Sequence, residues 1–343
     1  MAETVISFVD IEEPWEIEYL NNSLKDIATT RSFKETADLI LDKIKDTVIL
    51  STFINSKINK SVIDALPSLK FITTRSTGFD HIDTGYARSK GIAVSNVPTY
   101  GENTVAEHTF ALILSLARNL KKAYSKFSEG DFSINELMGF DLKGKTIGVI
   151  GTGHIGLRVI KIAVGFGMKV LAFDQISNPF LSEVLGYKIV DFETLLKESD
   201  IITLHAPYNK NTHHMINEDN IGKIKKGAIL INTARGGLVD IVALTKALDK
   251  KILAGAALDV LEGEDIILEE EQLLVRRKKE LYNPQKLQLM LRDGFLLQRE
   301  NVIFTPHIGF YSKEALQRIL DTTVRNITGF LNKNPVNTVQ DGI

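Results

Sequence analysis

Val149-Ile150-Gly151-Thr152-Gly153-His154-Ile155-Gly156 is the stretch on which the reading of this chain turns. Lys145 to Ile150 is a short apolar run with β-branched residues, the pattern of a buried parallel strand. It runs into G-x-G-x-x-G, the form of a tight turn that opens a helix. Gly151 allows the turn, Gly153 lets backbone approach a pyrophosphate, and Gly156 lets helix and strand pack closely. The free N–H groups of the helix start aim positive charge at phosphates. Such a pattern is weak alone. Here a second apolar strand, Met168 to Phe173, ends in Asp174, some 20 residues on, where a ribose-binding carboxylate belongs. Asp174 repels a 2′-phosphate, and the following Gln175-Ile176-Ser177 offers no arginine to accept one, so the expected cofactor is NAD. The bland alternative is a loop of glycines beside a chance aspartate.

Working outward, a βα rhythm runs from Lys145 onward. Strands are expected at 145–150, 168–173, 200–205, 228–232, 254–259 and 302–304, with helical stretches between, one opened by Glu218-Asp219. Six strands with helical crossovers match a doubly wound dinucleotide-binding domain of Rossmann type. The first hundred residues alternate in the same way. Val48-Ile49-Leu50, Phe71 to Thr74 and Ile92 to Val94 read as strands, and Ser61 to Leu66 and Tyr86 to Lys90 as short helices. They predict a second, separate parallel α/β domain. A long helix is expected from Glu102 to Lys121, apolar on most faces and so buried in a core or a subunit interface. Asp265 to Glu300 is charged and leucine-rich and reads as a solvated helical elaboration, or else a docking surface. Lys313 to Leu331 has helical spacing and could return the chain to the first domain.

Composition narrows the class. At 343 residues the chain can hold two domains with large cores. With 41 basic and 43 acidic residues, nothing points to nucleic acid or another polyanion. No cysteine is present, which removes disulfides, thiolate nucleophiles and Cys-ligated metals. The start, Met1-Ala2-Glu3-Thr4, lacks the form of a signal peptide, and Thr109 to Ala117 is too short to span a bilayer. The expectation is a cytoplasmic enzyme with no membrane partner.

Three segments beyond the glycine turn carry chemistry. Asn232-Thr233-Ala234-Arg235-Gly236-Gly237 follows an apolar strand, and ligands of open α/β sheets bind at strand carboxyl ends. A guanidinium there grips a carboxylate bidentately and polarises a carbonyl; a surface salt bridge is the plain alternative. Leu258 to Glu264 brings Asp259, Glu262 and Glu264 close together, as a functional carboxylate or as a solvated loop. Phe304-Thr305-Pro306-His307-Ile308-Gly309 puts a histidine at a strand end. Paired with a carboxylate, it suits general-acid work in carbonyl reduction. These residues predict hydride transfer to a substrate carrying a carboxylate beside a carbonyl. His213-His214 could suggest a metal, but neighbours in sequence do not easily face one ion and no carboxylate constellation is evident, so no metal is expected. His108 reads as a packing residue of the long helix.

Over nearly its whole length the chain resembles the D-isomer-specific 2-hydroxyacid dehydrogenases. The matching motifs are Arg75 to Asp83, Glu102 to His108, Gly151 to Gly156, Leu204-His205-Ala206-Pro207, Asn232 to Gly236, Leu258 to Glu264 and Thr305 to Gly309. Val97-Pro98-Thr99-Tyr100, Met138 to Leu142 and Thr212 to Asn217 make it most similar to the fermentative D-lactate branch. The resemblance implies that Arg235 binds a 2-oxo acid and that His307, paired with Glu264, donates and accepts the proton. Amides at Thr77 and Gly78 would hold the substrate carboxylate, with Tyr100 over it. Asp259 would bind the nicotinamide carboxamide, and His154 and Ile155 would present N–H groups to the pyrophosphate. Thr104, His205, Ala206, Pro207, Thr233 and Ala234 would line the cofactor. It implies a discontinuous, flavodoxin-like substrate domain (residues 1–100 and 308–343), a Rossmann domain (101–307), a cleft that closes on substrate, and a homodimer paired through the long helix. The implied reaction is pyruvate to D-lactate. Two alternatives stay open: another D-2-hydroxy acid, and a cofactor-sensing corepressor-like protein that keeps the same triad.

Overall fold

The computed structural model describes residues 4–11, 13–176, 178–262, 296 and 298–339. Glu264 and nearly all of the 265–300 stretch lie outside these residues. The chain divides into two compact units, Met1–Tyr100 with Tyr311–Ile343, and Gly101–Phe310.

The first unit runs β1 (Val5–Phe8), α1 (Pro14–Leu24), β2 (Thr29–Ser32), β3 (Ile49–Thr52), α2 (Lys60–Ala65), β4 (Phe71–Thr74), α3 (Thr84–Ser89) and β5 (Ala93–Ser95), then takes up the C-terminal helix, Lys313–Leu331. Its five strands are parallel in the order β2-β1-β3-β4-β5, the flavodoxin-like arrangement. Strand side chains alternate between faces. Ile6, Phe8, Ile49 and Phe71 therefore pack with Leu20 and Leu24 of α1 and with Leu320 and Ile327 of the C-terminal helix. Leu50 and Ile72 turn the other way, onto Val62 and Ile63 of α2 and Ala87 of α3. Each such buried side chain is worth roughly 1.5–3 kcal/mol over exposure. Asn59, Asp83 and Ser312 cap three of the helices by accepting a first-turn N–H.

The second unit holds α4 (Glu102–Ala117), α5 (Leu120–Ser128), β6 (Thr146–Ile150), α6 (His154–Gly165), β7 (Lys169–Phe173), α7 (Pro179–Leu185), β8 (Lys188–Ile189), α8 (Phe192–Glu198), β9 (Ile201–Leu204), β10 (Ala228–Asn232), α9 (Ile241–Asp249), β11 (Leu253–Leu258) and β12 (Val302–Phe304). All its pairings are parallel, in the order β12-β11-β10-β9-β6-β7-β8. Counted from β6, this is the doubly wound 3-2-1-4-5-6 order with one strand added, and its switch point lies between β6 and β9. One face packs on α8 and α9 through Leu195, Leu196, Leu244 and Leu248. The other packs on α4 and α6 through Phe110, Ile113, Val159 and Ile160.

The structure departs from the expectations in three places. The helix expected over 102–121 is two helices: Asn119 takes a left-handed conformation at φ 50°, and Phe140 N–H donates to Ala117 O at 2.9 Å where the first helix stops. No helix opens at Glu218-Asp219. Asn217, Asp219 and Asn220 trade side-chain-to-backbone hydrogen bonds there, which compete with helix, and only a 3₁₀ turn, Ile221–Lys223, follows. The cofactor sheet has seven strands, because the two-residue edge strand β8 joins the expected six. Among the described residues no helix is long and apolar enough to cross a membrane.

Gly148 sits in the middle of β6, paired on both sides by β7 and β9. A Cβ there would lie 2.4 Å from Ser199 Oγ and 2.6 Å from Leu195 Cδ2 of α8. Gly148→Ala should therefore cost about 1–3 kcal/mol by overpacking. The check is a lower urea midpoint with an unchanged slope; an unshifted midpoint would mean that α8 yields freely.

Candidate active site

The site is built at one edge of the cofactor sheet. Because every strand is parallel, all carboxyl ends face the same way. Reading across the sheet, β12 ends before His307, β11 before Asp259, β10 before Arg235, β9 before His205, β6 before Gly151 and β7 before Asp174. Six neighbouring strands thus deliver the histidine, the arginine, the glycine turn and the acid to one rim.

At the glycine turn Gly151 has φ +94°, and a Cβ on it would lie 2.7 Å from the His205 carbonyl. Gly156 approaches so closely that a Cβ would sit 2.0 Å from Gly151 O. At Gly153 a Cβ would meet nothing within 4 Å, so the turn is open on the side where a pyrophosphate would lie. The helix α6 begins at His154 without a side-chain cap, so its first N–H groups point outward from the turn. Asp174 accepts from Thr152 N at 2.6 Å and Thr152 Oγ1 at 2.9 Å. Burial pushes its carboxyl up, but the N–H groups of Thr152 and Ile176 outweigh that and hold it below the ordinary aspartate range. This donor set fits a dinucleotide: open backbone for phosphate and an ionised acid for ribose. The His205 ring meets Thr203 Oγ1 through Nε2 at 2.9 Å, its backbone N–H donates to Ile150 O at 2.7 Å, and burial drives its pKa down to about 3, so the ring is neutral. Ala206 and Pro207 follow it in the chain, and the Pro207 carbonyl takes the Thr212 hydroxyl at 2.7 Å.

Arg235 follows β10 in a turn clamped by Asn232, which donates to Arg235 O at 2.8 Å and accepts from Ala234 N at 3.0 Å. Gly236 lets that turn lie against the Leu261–Glu262 backbone, 2.0 Å from where its Cβ would be. Thr233 is tied to α4 through Thr109, hydroxyl to hydroxyl at 3.0 Å, one turn beyond Thr104 and Val105.

His307 has φ +53°, uncommon for a residue with a side chain. It is held there by N–H donation to Asp259 O at 2.8 Å. The Asp259 side chain, 2% exposed, binds the same loop: Thr305 Oγ1 donates at 2.5 Å, Ile308 N at 3.0 Å and Gly309 N at 2.8 Å. His108 Nε2 of α4 lies 3.3 Å from Asp259 Oδ1 and 3.0 Å from Thr305 Oγ1. The resemblance implies a nicotinamide contact for Asp259, and in the structure its carboxylate accepts from donors of its own chain. His108, expected only to pack, is one of them. The signal for it was its place four residues after Thr104, on one helix face. The proposed partner of His307, Glu264, lies outside the described residues. A correction concerns His213-His214, where the sequence suggests no carboxylate constellation: both Glu262 oxygens lie 3.0 Å from His214 Nε2.

In the first unit, Arg75 directly follows β4 and is buried, 3% exposed. Its guanidinium donates to Val9 O, Asp10 O and Ser51 O at 2.7, 2.6 and 3.3 Å. The loop after it is fixed by Thr77 Oγ1 to Val97 O at 2.8 Å and by Asn96 Nδ2 to Thr77 O at 2.8 Å. The amide N–H groups of Thr77 and Gly78 make no hydrogen bond among the described residues. Tyr100, the last residue before the crossing into the second unit, accepts from Arg318 Nε through its carbonyl at 2.7 Å.

The model of the D-isomer specific 2-hydroxyacid dehydrogenase NAD binding domain matches residues 110–309. A D-specific alpha-keto acid dehydrogenase of Enterococcus faecium is 40% identical over 280 residues, 80% of this chain and 80% of that protein. A glyoxylate reductase of Thermococcus litoralis is 36% identical over 299 residues, 85% of this chain and 83% of that protein. Among solved structures, D-lactate dehydrogenase from Aquifex aeolicus, complexed with NAD and lactic acid, matches with a TM-score of 0.85 at 36% identity, over 98% of this chain and 100% of that one.

The Asp259 network gives an acid-stability prediction. Burial raises the Asp259 carboxyl, but His108, Thr305 and Gly309 more than offset this and hold it below the ordinary range. A depressed carboxyl stabilises the fold fully above the unfolded aspartate value, and that contribution is lost as pH falls through the folded one. Asp259→Asn should therefore lower the melting temperature at neutral pH and flatten the acid limb of the stability profile. Parallel profiles for parent and variant would contradict the network.

Proposed function

This chain belongs to the D-isomer-specific 2-hydroxyacid dehydrogenases, and on that premise we propose that it reduces pyruvate to D-lactate with NADH, reversibly. The observation that carries the reading is the row of six strand ends, which sets a fitted NAD site beside a turn-clamped arginine and a backbone-anchored histidine. Bound NADH supplies the hydride for the carbonyl carbon. In this reading Arg235 forks onto the substrate carboxylate and polarises the adjacent carbonyl. His307 gives its ring proton to the carbonyl oxygen as the hydride arrives, and takes it back in the reverse direction. Glu264 would support the imidazolium that this requires. The amides at Thr77 and Gly78, unpaired among the described residues, suit a carboxylate, and Tyr100 is assigned to enclosing a small substrate. The acid at Asp174, with no arginine in the residues that follow, supports NADH over NADPH.

The deciding experiment is a panel of pyruvate, glyoxylate and branched and aromatic 2-oxo acids with NADH and NADPH, with chiral analysis of the product. Pyruvate with NADH should give the highest kcat/KM and D-lactate as product. L-lactate would overturn the reading, and a higher kcat/KM on another 2-oxo acid would move it to that D-2-hydroxy acid. Absence of turnover would favour a corepressor-like role. In the same assay His307→Ala should lose about 10²–10⁴ in rate while still binding NADH by fluorescence.

We also propose a homodimer, paired through α5 and the segment after it rather than through α4. Most large apolar residues of α4 are buried within its own unit, with Leu114 and Leu116 partly so, whereas Tyr124, Phe127, Phe132, Ile134 and Met138 are 60–92% exposed. The lysines among them are neutralised internally, Lys122 by Glu136 and Lys126 by Asp131, which leaves the patch apolar and suited to its own copy. Light scattering should give twice the chain mass of 38.2 kDa, and Phe127→Asp should halve it; a parent that runs at the chain mass would refute the pairing.

A further inference from the structure

We propose that His213, His214 and Glu262 form a binding site for one divalent ion of the zinc class, which would clamp the Tyr208–His214 loop to the segment after β11. The site is separate from the residues assigned to hydride and proton transfer. One ring nitrogen of each histidine and a carboxylate oxygen of Glu262 lie within 4.8 Å of one another. Two imidazoles and a carboxylate are a donor set that late first-row divalent ions bind well.

The obstacle to two adjacent histidines sharing an ion is direction, and the backbone reduces it by bringing both rings to one side. His214 is left-handed, at φ +47°, so the two rings do not point apart but stack, centroids 3.9 Å apart and planes 23° from parallel. That geometry is fixed from several sides. His214 N–H donates to Gly237 O at 2.8 Å, and Asn217 Nδ2 donates to His214 O at 2.9 Å. Tyr208 Oη lies 3.1 Å from His213 Nδ1 and orients that ring. On the other wall, Glu262 presents both oxygens to His214 Nε2 at 3.0 Å. Zinc bonds of about 2.0–2.2 Å place tetrahedral ligands roughly 3.3 Å apart, so the His214–Glu262 spacing is already near that of a coordinated pair. The exposed His213 ring has to rotate out of the stack for its lone pair to meet that of His214 at the ion. The histidine and glutamate side chains are 30% and 33% exposed, so an ion can enter and water can complete its shell.

The place of the site gives it a consequence. Gly236, next to Arg235, packs on the Leu261–Glu262 backbone, and Gly237 holds His214. An ion joining Glu262 to the two histidines therefore braces both neighbours of the Arg235 turn.

The test is titration of the chelator-stripped full chain with Zn²⁺ in competition with a chromogenic chelator, with amide exchange of residues 208–216 read in parallel. One equivalent should bind per chain, with slower exchange in that loop. His213→Gln and Glu262→Gln should each weaken binding about tenfold or more, as loss of a group that holds or orients a metal does. Without zinc, His213→Gln should turn over substrate like the parent. Absence of saturable binding, or titration curves for both variants that overlay the parent, would overturn the site. Both readouts are independent of which 2-oxo acid is reduced, so failure of the site leaves the catalytic reading untouched, and the reverse.

Discussion

One buried carboxylate organises the catalytic end of the cofactor unit. Asp259 stands at the end of β11 and gathers donors from two places: the loop after β12 and the α4 helix. Its own carbonyl takes the His307 N–H. A histidine in a left-handed conformation costs of order 1–3 kcal/mol and persists only where its surroundings over-determine it. Here the surroundings are the Asp259 bonds. Charge-assisted bonds to a desolvated carboxylate are the strong kind, so the backbone of the loop that carries His307 is set before any substrate arrives. Because His108 shares both Asp259 and Thr305, the position of α4 is part of the same setting.

The first unit solves the mirror problem with the opposite charge. Arg75 is a buried cation that binds carbonyls at the ends of β1 and β3 rather than a carboxylate in contact. Burial lowers its pKa to about 10, with Asp10 and Glu16 acting the other way, so it stays charged at neutral pH. By drawing strand ends together it fixes where the chain leaves β4, and hence where the Thr77 and Gly78 amides face.

How much of this the sequence discloses depends on whether a feature is local. The six cofactor strands are legible because each is an apolar run with a turn signal after it. β1 and β2 are not: Ser7 interrupts the first, buried only because its hydroxyl meets Thr47 at 2.6 Å, and the second, Thr-Thr-Arg-Ser, is a half-buried edge without apolar alternation. β8 has two residues and no periodicity to read. Arg235 and His307 stand out because strand ends and glycines mark them. The bond from His108 to Thr305 spans 197 positions, and that from Arg75 to Val9 spans 66, so no window of sequence contains either. The His214–Glu262 pair was missed for the same reason, 48 positions apart.

The interleaving of the two units has a consequence for synthesis. The sheet of the first unit is complete at Ser95, yet one of its faces is covered by a helix that begins at Lys313, with Phe330 stacked on Phe71 at 4.5 Å. The ribosome must make roughly 200 residues in between, which at about 5–20 residues per second takes on the order of 10–40 s. During that interval Ile6, Phe8, Ile49 and Phe71 have lost a wall of their core, while the whole cofactor unit is emerging and can close on itself. The nascent chain is thus expected to be a chaperone client in its first hundred residues, and the second unit to finish folding before the first.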